Sequence, residues 1–215
     1  MLRLLSVLLV LLLPAPARAH PHIFVDATVE LLFGRDGTPH AVRIGWVYDP
    51  VFSMLLVGDM ELDPDFDGIL TPEEMAALQG FDMNWIPGYH GDTHLTQAGK
   101  ALELGPPQDW TSDYHDGQLR STHLRALPAL DHSAEWTLSV YDPTYYTSYS
   151  LAAAPVLTGR EDCRARVFVP DWEAAGAQLQ AALDEMLGAG RDMEMDFPAV
   201  GALFSEEVRI QCPAP

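Results

Sequence analysis

Alternating apolar and polar residues run through most of the chain and predict β-strands. In the stretch HIFVDATVELLF at 22–33, the apolar residues that would share one face are Ile23, Val25, Ala27, Val29 and Leu31. The turn GRDGTP leads to a second strand, HAVRIGWVYD at 40–49, so this region should form a hairpin. Further strands are predicted at 93–104, 110–115, 119–126, 134–141, 145–152, 164–169 and 206–212.

Helical periodicity replaces this alternation in three places. DPVFSMLLVGDMEL at 49–62 and TPEEMAALQGF at 71–81 each begin with a capping residue followed by proline, which is typical of helix starts. DWEAAGAQLQAALDEMLGAG at 171–190 predicts a longer amphipathic helix that glycines end. The expected fold class is therefore α+β: a mainly antiparallel, sandwich-like β body with an inserted helix–loop–helix at about 49–83 and a C-terminal helix.

The loop of that insert, DPDFDGILTPEE at 63–74, matches the twelve-residue EF-hand calcium loop. Calcium takes six to eight oxygen ligands at about 2.3–2.6 Å, and such a loop supplies them from fixed positions. Gly68 falls at position 6, where the chain turns sharply. The predicted Ca²⁺ ligands are Asp63, Asp65, Asp67, Ile69 through its carbonyl oxygen, Thr71 through a water, and Glu74. A merely acidic turn is the alternative.

Residues 1–19 have the pattern of a secretory signal peptide. A basic Arg3 precedes the apolar run LLSVLLVLLLPAPA, and small residues flank Arg18 at 17 and 19. The mainly apolar part, residues 4–13, is shorter than the roughly 20 residues that a membrane-spanning helix needs. We therefore expect cleavage before residue 20, a single exported domain at 20–215 and no integral membrane segment after cleavage; an uncleaved anchor is the alternative.

The chain is strongly acidic. Its formal net charge is −19, and loss of the two arginines in residues 1–19 would change it to −21. Such a surface repels nucleic-acid phosphates and attracts cations, so nucleic-acid binding is not expected.

Two cysteines, Cys163 and Cys212, are the only ones in the chain. In an oxidising compartment they predict a disulfide that joins the C-terminal region to the body. A metal-binding thiolate pair is the alternative.

Cleavage before residue 20 would give the chain a His-Pro-His start. His20 would then offer an α-amine and an imidazole, with His22 two residues further on the same face of a strand. Asp26 would share that face, as a ligand or as a partner of a ligand. Nitrogen donors suit Zn²⁺, Ni²⁺, Co²⁺ or Cu²⁺ rather than calcium, so these residues predict a transition-metal site. A frayed polar terminus is the alternative.

Other histidines are less clearly placed. His90 and His94 lie four apart in GYHGDTHL and are further candidate metal ligands. Asp142, in VYDPTYY, is predicted at the mouth of the His20 site, or else in a turn between two core strands. The remaining histidines are expected at the surface: His40, His115, His123 and His132. Because the chain lacks HExxH, GxSxG and phosphate-binding glycine motifs, we predict no enzyme activity.

The segments AHPHIFVDATVEL, DPDFDGILTPEE and YDPTYY, followed by the CRARV and IQC cysteines, together resemble an uncharacterised family of bacterial exported proteins. That family is described as the periplasmic component of an uncharacterised ABC-type transport system. Its genes often lie beside genes for nickel/cobalt-type permeases. Where the family has DxDGDG, this chain has DPDFDG and keeps the acidic positions. The resemblance implies a periplasmic location and a transition-metal role for His20, His22 and Asp142; the GYHGDTH histidines are not part of it.

The sequence thus predicts a periplasmic or secreted Ca²⁺-binding protein that serves a transition-metal transport system, with a membrane metal permease as a candidate partner. One alternative is a calcium-stabilised structural or interaction module without a transition metal. A copper enzyme built on the N-terminal histidine is the other.

Overall fold

The computed structural model describes residues 20–131, 134–192 and 196–213. The predicted signal peptide and His132 lie outside this part of the chain. Eleven strands of the described residues form two sheets, and three α-helices and one short 3₁₀ helix accompany them. The α+β class with a C-terminal helix is confirmed.

The first sheet has the strand order β5-β6-β2-β1-β8, and β9 also pairs with β1. Its strands are β1 (Ile23–Phe33), β2 (Pro39–Tyr48), β5 (Pro107–His115), β6 (Gln118–Ala126), β8 (Thr147–Leu151) and β9 (Val156–Thr158). Pairing is antiparallel except where β8 and β9 run parallel to β1. The predicted hairpin of β1 and β2 is confirmed.

The second sheet has the order β10-β11-β7-β3-β4 and is antiparallel throughout. Its strands are β3 (Thr93–Gln97), β4 (Lys100–Leu102), β7 (Trp136–Val140), β10 (Arg164–Phe168) and β11 (Glu207–Gln211). The single strand predicted at 93–104 is therefore two short strands. They are separated by Ala98 and Gly99, which both have positive φ and make a tight turn.

The three α-helices are α1 (Pro50–Asp59), α2 (Pro72–Leu78) and α3 (Trp172–Gly188), and the 3₁₀ helix is Gly201–Phe204. Side-chain oxygens of Asp49, Thr71 and Asp171 cap the α-helices by accepting backbone N–H bonds. Helix α1 ends three residues before the predicted boundary at residue 62. Glu61 has φ +55, which takes the chain out of the helix.

One hydrophobic core joins the two sheets. The inward face of β1 is the predicted one, with Val25, Ala27, Val29 and Leu31 buried. Leu138 and Ile210 of the second sheet are completely buried in the same cluster. Shared burial of both faces is what a sandwich-like arrangement requires.

The helix–loop–helix packs on the first sheet. The buried Ser53 of α1 accepts a hydrogen bond from the Leu119 N–H of β6 at 2.9 Å. The Gln79 side chain, at the end of α2, bonds both the carbonyl and the N–H of Ser112 in β5. Both helices are thereby fixed to neighbouring strands, so the loop between them has a rigid base.

No helix in the described ranges is long and apolar enough to cross a membrane.

The predicted disulfide is confirmed: Cys163 and Cys212 are bonded and lie directly opposite each other, before β10 and after β11. A disulfide is compatible with an extracytoplasmic location.

Reduction of this bond should lower the free energy of unfolding by about 2–5 kcal/mol, because it releases a cross-link that restricts the unfolded chain. Urea denaturation with and without reductant measures the change. The Cys163→Ser/Cys212→Ser double variant should show no response to reductant. If reductant leaves the urea midpoint of the wild-type protein unchanged, the disulfide does not stabilise the fold.

Candidate functional site

Three aspartates gather at the start of the loop between α1 and α2. Carboxylate oxygens of Asp63, Asp65 and Asp67 lie within 4.8 Å of one another. Asp63 is only 8% exposed, whereas Asp65 and Asp67 are open to solvent. The structure therefore brings together the predicted ligands of positions 1, 3 and 5.

Local hydrogen bonds hold this arrangement. Asp63 Oδ1 accepts from the Asp67 N–H at 3.0 Å, and Asp63 Oδ2 accepts from the Gly68 N–H at 3.1 Å. Asp67 Oδ1 accepts from the Ile69 N–H at 2.8 Å. Gly68 has φ +78, a conformation that a side chain would strain. The loop is folded by its own acidic residues around a glycine turn.

Glu74 serves a different purpose in this structure. Its Oε2 accepts from the Thr71 N–H at 2.7 Å and from the Thr71 hydroxyl at 2.9 Å, while Thr71 Oγ1 accepts from the Glu74 N–H. This is a capping box at the start of α2. Glu74 is thus near the loop, but it is not one of the three gathered carboxylates.

The gathered carboxylates repel one another. The neighbouring charge of Asp67 is the main cause that raises the pKa of Asp65, ahead of the smaller effect of burial. A divalent cation among these oxygens would relieve that repulsion, and an all-oxygen donor set is the one that hard cations such as calcium prefer.

The two N-terminal histidines lie side by side. The His20 and His22 ring centroids are 4.7 Å apart, His20 stacks on Phe197 at 3.8 Å, and His22 lies 4.6 Å from the Tyr146 ring. The His22 N–H donates to the Tyr146 carbonyl at 2.8 Å, next to the parallel pairing of β1 with β8. The start of the described chain is therefore held in place beside aromatic side chains.

Asp142 organises the turn that carries Tyr146. Its Oδ1 accepts from the N–H and the hydroxyl of Thr144, both at 2.8 Å, and its Oδ2 accepts from the Thr147 N–H at 3.0 Å. A Cβ on Gly201 would clash with the Asp142 carbonyl oxygen, so glycine is required there for the 3₁₀ helix to approach this turn. Asp142 is linked to His22 through the turn, and its role at the mouth of a metal site stays a prediction.

Asp26 lies in β1, four residues beyond His22 and on the same exposed face. At about 3.3 Å per residue, four residues of strand separate the two Cα atoms by about 13 Å. One ion bound between His20 and His22 would therefore be out of direct reach of Asp26, which leaves an indirect contribution for this residue.

His94 and His90 lie at the start of β3 and just before it. The His94 ring stacks on Tyr141 at 3.8 Å, and its Nε2 is 3.1 Å from the Tyr141 carbonyl. Burial lowers the pKa of His94, so its ring favours the neutral form. The His90 carbonyl oxygen accepts from Arg125 Nη1 at 2.9 Å, while the residue is exposed.

The prediction that His123 lies at the surface is wrong. It is 0% exposed, on the inward face of β6 with Leu119, Ser121 and Arg125. Alternation along β6 from Leu119 was the signal that could have placed it there. A ladder of polar residues on the face of a buried leucine is uncommon, and it indicates an interior polar cluster.

That cluster also contains Asp92, which the sequence analysis did not single out. The Tyr89 and Tyr149 hydroxyls donate to its Oδ2 at 3.0 and 2.8 Å, and burial raises the pKa of Asp92 to about 6. The buried Arg125 donates to the carbonyl oxygens of His90, Leu104 and Gly105, and its guanidinium lies 4.8 Å above the Trp85 ring.

Comparison with known proteins identifies a family and no function. No curated protein matches this chain. A family model described as "protein of unknown function (DUF1007)" matches residues 5–212. Because that match covers nearly the whole sequence, the chain belongs to the DUF1007 family.

Proposed function

We propose that this protein is an exported, EF-hand-like calcium-binding protein. The observation that supports the proposal most is the gathering of Asp63, Asp65 and Asp67 within 4.8 Å, in a loop of the correct length between two capped helices. Ile69, Thr71 and Glu74 supply the remaining proposed ligands. Glu74 would have to release its bonds to Thr71 and turn its carboxylate towards the ion.

The proposed role of calcium is structural. Calcium modules outside the cell bind with dissociation constants of about 10⁻⁴–10⁻³ M, which suits a calcium-rich compartment. Both flanking helices are attached to the first sheet through Ser53 and Gln79, so ion binding would clamp the insert onto the body.

Calcium should therefore raise the thermal stability of the wild-type protein. At 10 mM Ca²⁺ and a dissociation constant of 0.1–1 mM, mass action adds about 1.4–2.7 kcal/mol. For a protein of this size that corresponds to about 3–10 °C in the unfolding midpoint. Differential scanning fluorimetry after chelator treatment measures it, with Mg²⁺ and Na⁺ at equal ionic strength as controls. No calcium-specific rise would count against the proposal.

A transition-metal role at the N-terminus is the second part of the proposal. The adjacent rings of His20 and His22 support it, since two imidazoles at this separation can converge on one Zn²⁺, Ni²⁺, Co²⁺ or Cu²⁺ ion. The resemblance to periplasmic transport components favours an accessory or substrate-binding role beside a membrane metal permease. A calcium-stabilised module without this second site is the competing function.

An extra residue before His20 should weaken transition-metal binding at least about tenfold, or about 1.4 kcal/mol. The reason is that the added residue replaces the free α-amine of the processed chain by a weakly basic amide and leaves both imidazoles in place. Competition titrations with Zn²⁺, Cu²⁺ and Ni²⁺ compare the two forms. Mass spectrometry of the exported protein first establishes where the mature chain begins.

His22→Ala should weaken the same binding, whereas Glu74→Gln should leave it unchanged because the two sites use different atoms. Equal affinity with and without the extra residue would leave the N-terminal histidines as an ordinary polar start to a strand.

A further inference from the structure

The segment between α2 and β3, residues 79–92, covers an unusual set of buried polar atoms; we call it the linking segment. Beneath it, Trp46 is 2% exposed and His123 is 0% exposed. Within the described parts of the chain, the buried side-chain atoms that have no hydrogen-bond partner include four in this region: Trp46 Nε1, Asp82 Oδ1, His123 Nδ1 and His123 Nε2.

These atoms belong to side chains in one cluster. The Trp46 and His123 ring centroids are 4.8 Å apart, and Trp46 pairs in register with Ser121 across β2 and β6. The Ser121 hydroxyl donates to Asp82 Oδ2, the other oxygen of the same carboxylate. The Trp85 ring of the linking segment also lies 5.6 Å from the His123 ring.

Leaving so many groups unpaired would be costly. A buried donor or acceptor without a partner costs about 1–3 kcal/mol, so nearly all such groups in proteins bond to protein or to ordered water. Four in one cluster would remove a large part of the 5–15 kcal/mol that stabilises a typical domain. A bound partner that satisfies them is therefore expected.

The chemistry of the four atoms selects that partner. Trp46 Nε1 can only donate, ionised Asp82 can only accept, and a neutral imidazole does one of each. Burial lowers the pKa of His123 to about 3, so its ring is neutral near pH 7. A metal cation would leave the indole N–H unsatisfied, and an anion would be repelled by the Asp82 carboxylate. A water molecule both donates twice and accepts twice, which matches the set.

We propose that one or two ordered water molecules bind in this interior and bridge Asp82 to Trp46 and His123. The water joins the linking segment, through Asp82, to strands β2 and β6 of the first sheet. That segment follows α2, the helix after the proposed calcium loop, contains His90 and leads into β3, which contains His94. The internal water thus fixes the path of the chain between the two regions, independently of whether either binds an ion.

Nuclear magnetic resonance of the intact protein tests this directly. The Trp46 indole N–H should show a cross-peak to water with the sign of a long-lived contact. The Trp85 indole is the internal control, because its Nε1 donates to the Asp82 carbonyl oxygen at 2.8 Å and needs no water. Equal behaviour of the two indoles, or no contact between Trp46 and water, would overturn the proposal.

A crystal structure at high resolution gives the second test. It should show ordered water within about 2.7–3.2 Å of Asp82 Oδ1, of Trp46 Nε1 and of a His123 nitrogen. His123→Phe fills the same space without polar atoms and should displace at least one such water. Direct bonds among the three side chains, or an anomalous metal peak between them, would contradict a water site.

Discussion

Glu74→Gln is expected to weaken calcium binding by more than about 100-fold, which is about 2.7 kcal/mol. Calcium in such loops takes two oxygens from the carboxylate at position 12, and glutamine provides one neutral oxygen and loses the charge. Calcium at 10 mM should then add no more than about 0.4 kcal/mol of stability. The amide oxygen can still accept from Thr71, so the capping box and the fold should survive.

Glu73→Gln is the matched control. Glu73 precedes Glu74, lies in the same first turn of α2 and is exposed, so the substitution removes the same charge at nearly the same place. Position 11 supplies no ligand, and calcium affinity should change by less than about threefold. If both variants lose affinity equally, the effect is general electrostatic attraction, and the loop is merely acidic.

Lowering the pH from 6.5 to 4 should cost about 3 kcal/mol of stability through His123 alone. Burial, with a smaller contribution from the positive Arg125, lowers the pKa of His123 in the folded state from 6.5 to about 3. The unfolded chain therefore binds this proton first as pH falls, and stability is lost between pH 6.5 and 3. Each unit of difference between the pKa of His123 in the unfolded and folded states corresponds to about 1.4 kcal/mol of stability.

His123→Phe should remove that dependence. Urea denaturation at pH 6.5 and pH 4 measures it, and the difference between the two pH values cancels any constant cost of the substitution. The comparison is needed because protonation of Asp92 changes the stability in the opposite direction. Its pKa is raised to about 6, so the folded state takes up this proton before the unfolded state does, and the folded state gains stability as pH falls below 6. Equal acid loss in wild type and variant would rule out His123 as the cause.

Local sequence signals predicted the parts of the structure that depend on local geometry. The alternation in β1, the turn before β2 and the caps at Asp49 and Thr71 each determine backbone conformation within a few residues. The spacing of Asp63, Asp65 and Asp67 belongs to this class, since one loop brings all three together. Such features can be read without knowledge of the rest of the chain.

The interior polar cluster depends on distant parts of the chain. Pairing of β2 with β6 brings Trp46 and His123 together, and hydrogen bonds from Tyr48 and Ser121 attach Asp82 of the linking segment to the same strands. The only local sign that His123 is buried was its alternation with Leu119 along β6, and without an acidic neighbour in sequence the residue was predicted at the surface. The short parallel strand β9 was missed for the same reason, because its pairing with β1 spans more than 120 residues.

Isothermal titration of the wild-type protein with calcium measures whether the loop at residues 63–74 binds the ion. After chelation and dialysis, we expect one calcium bound per chain with a dissociation constant of about 10⁻⁴–10⁻³ M. The same titration of Glu74→Gln should give no binding heat, while Glu73→Gln should resemble wild type. No saturable heat from the wild-type protein at several millimolar calcium would contradict a calcium site at residues 63–74.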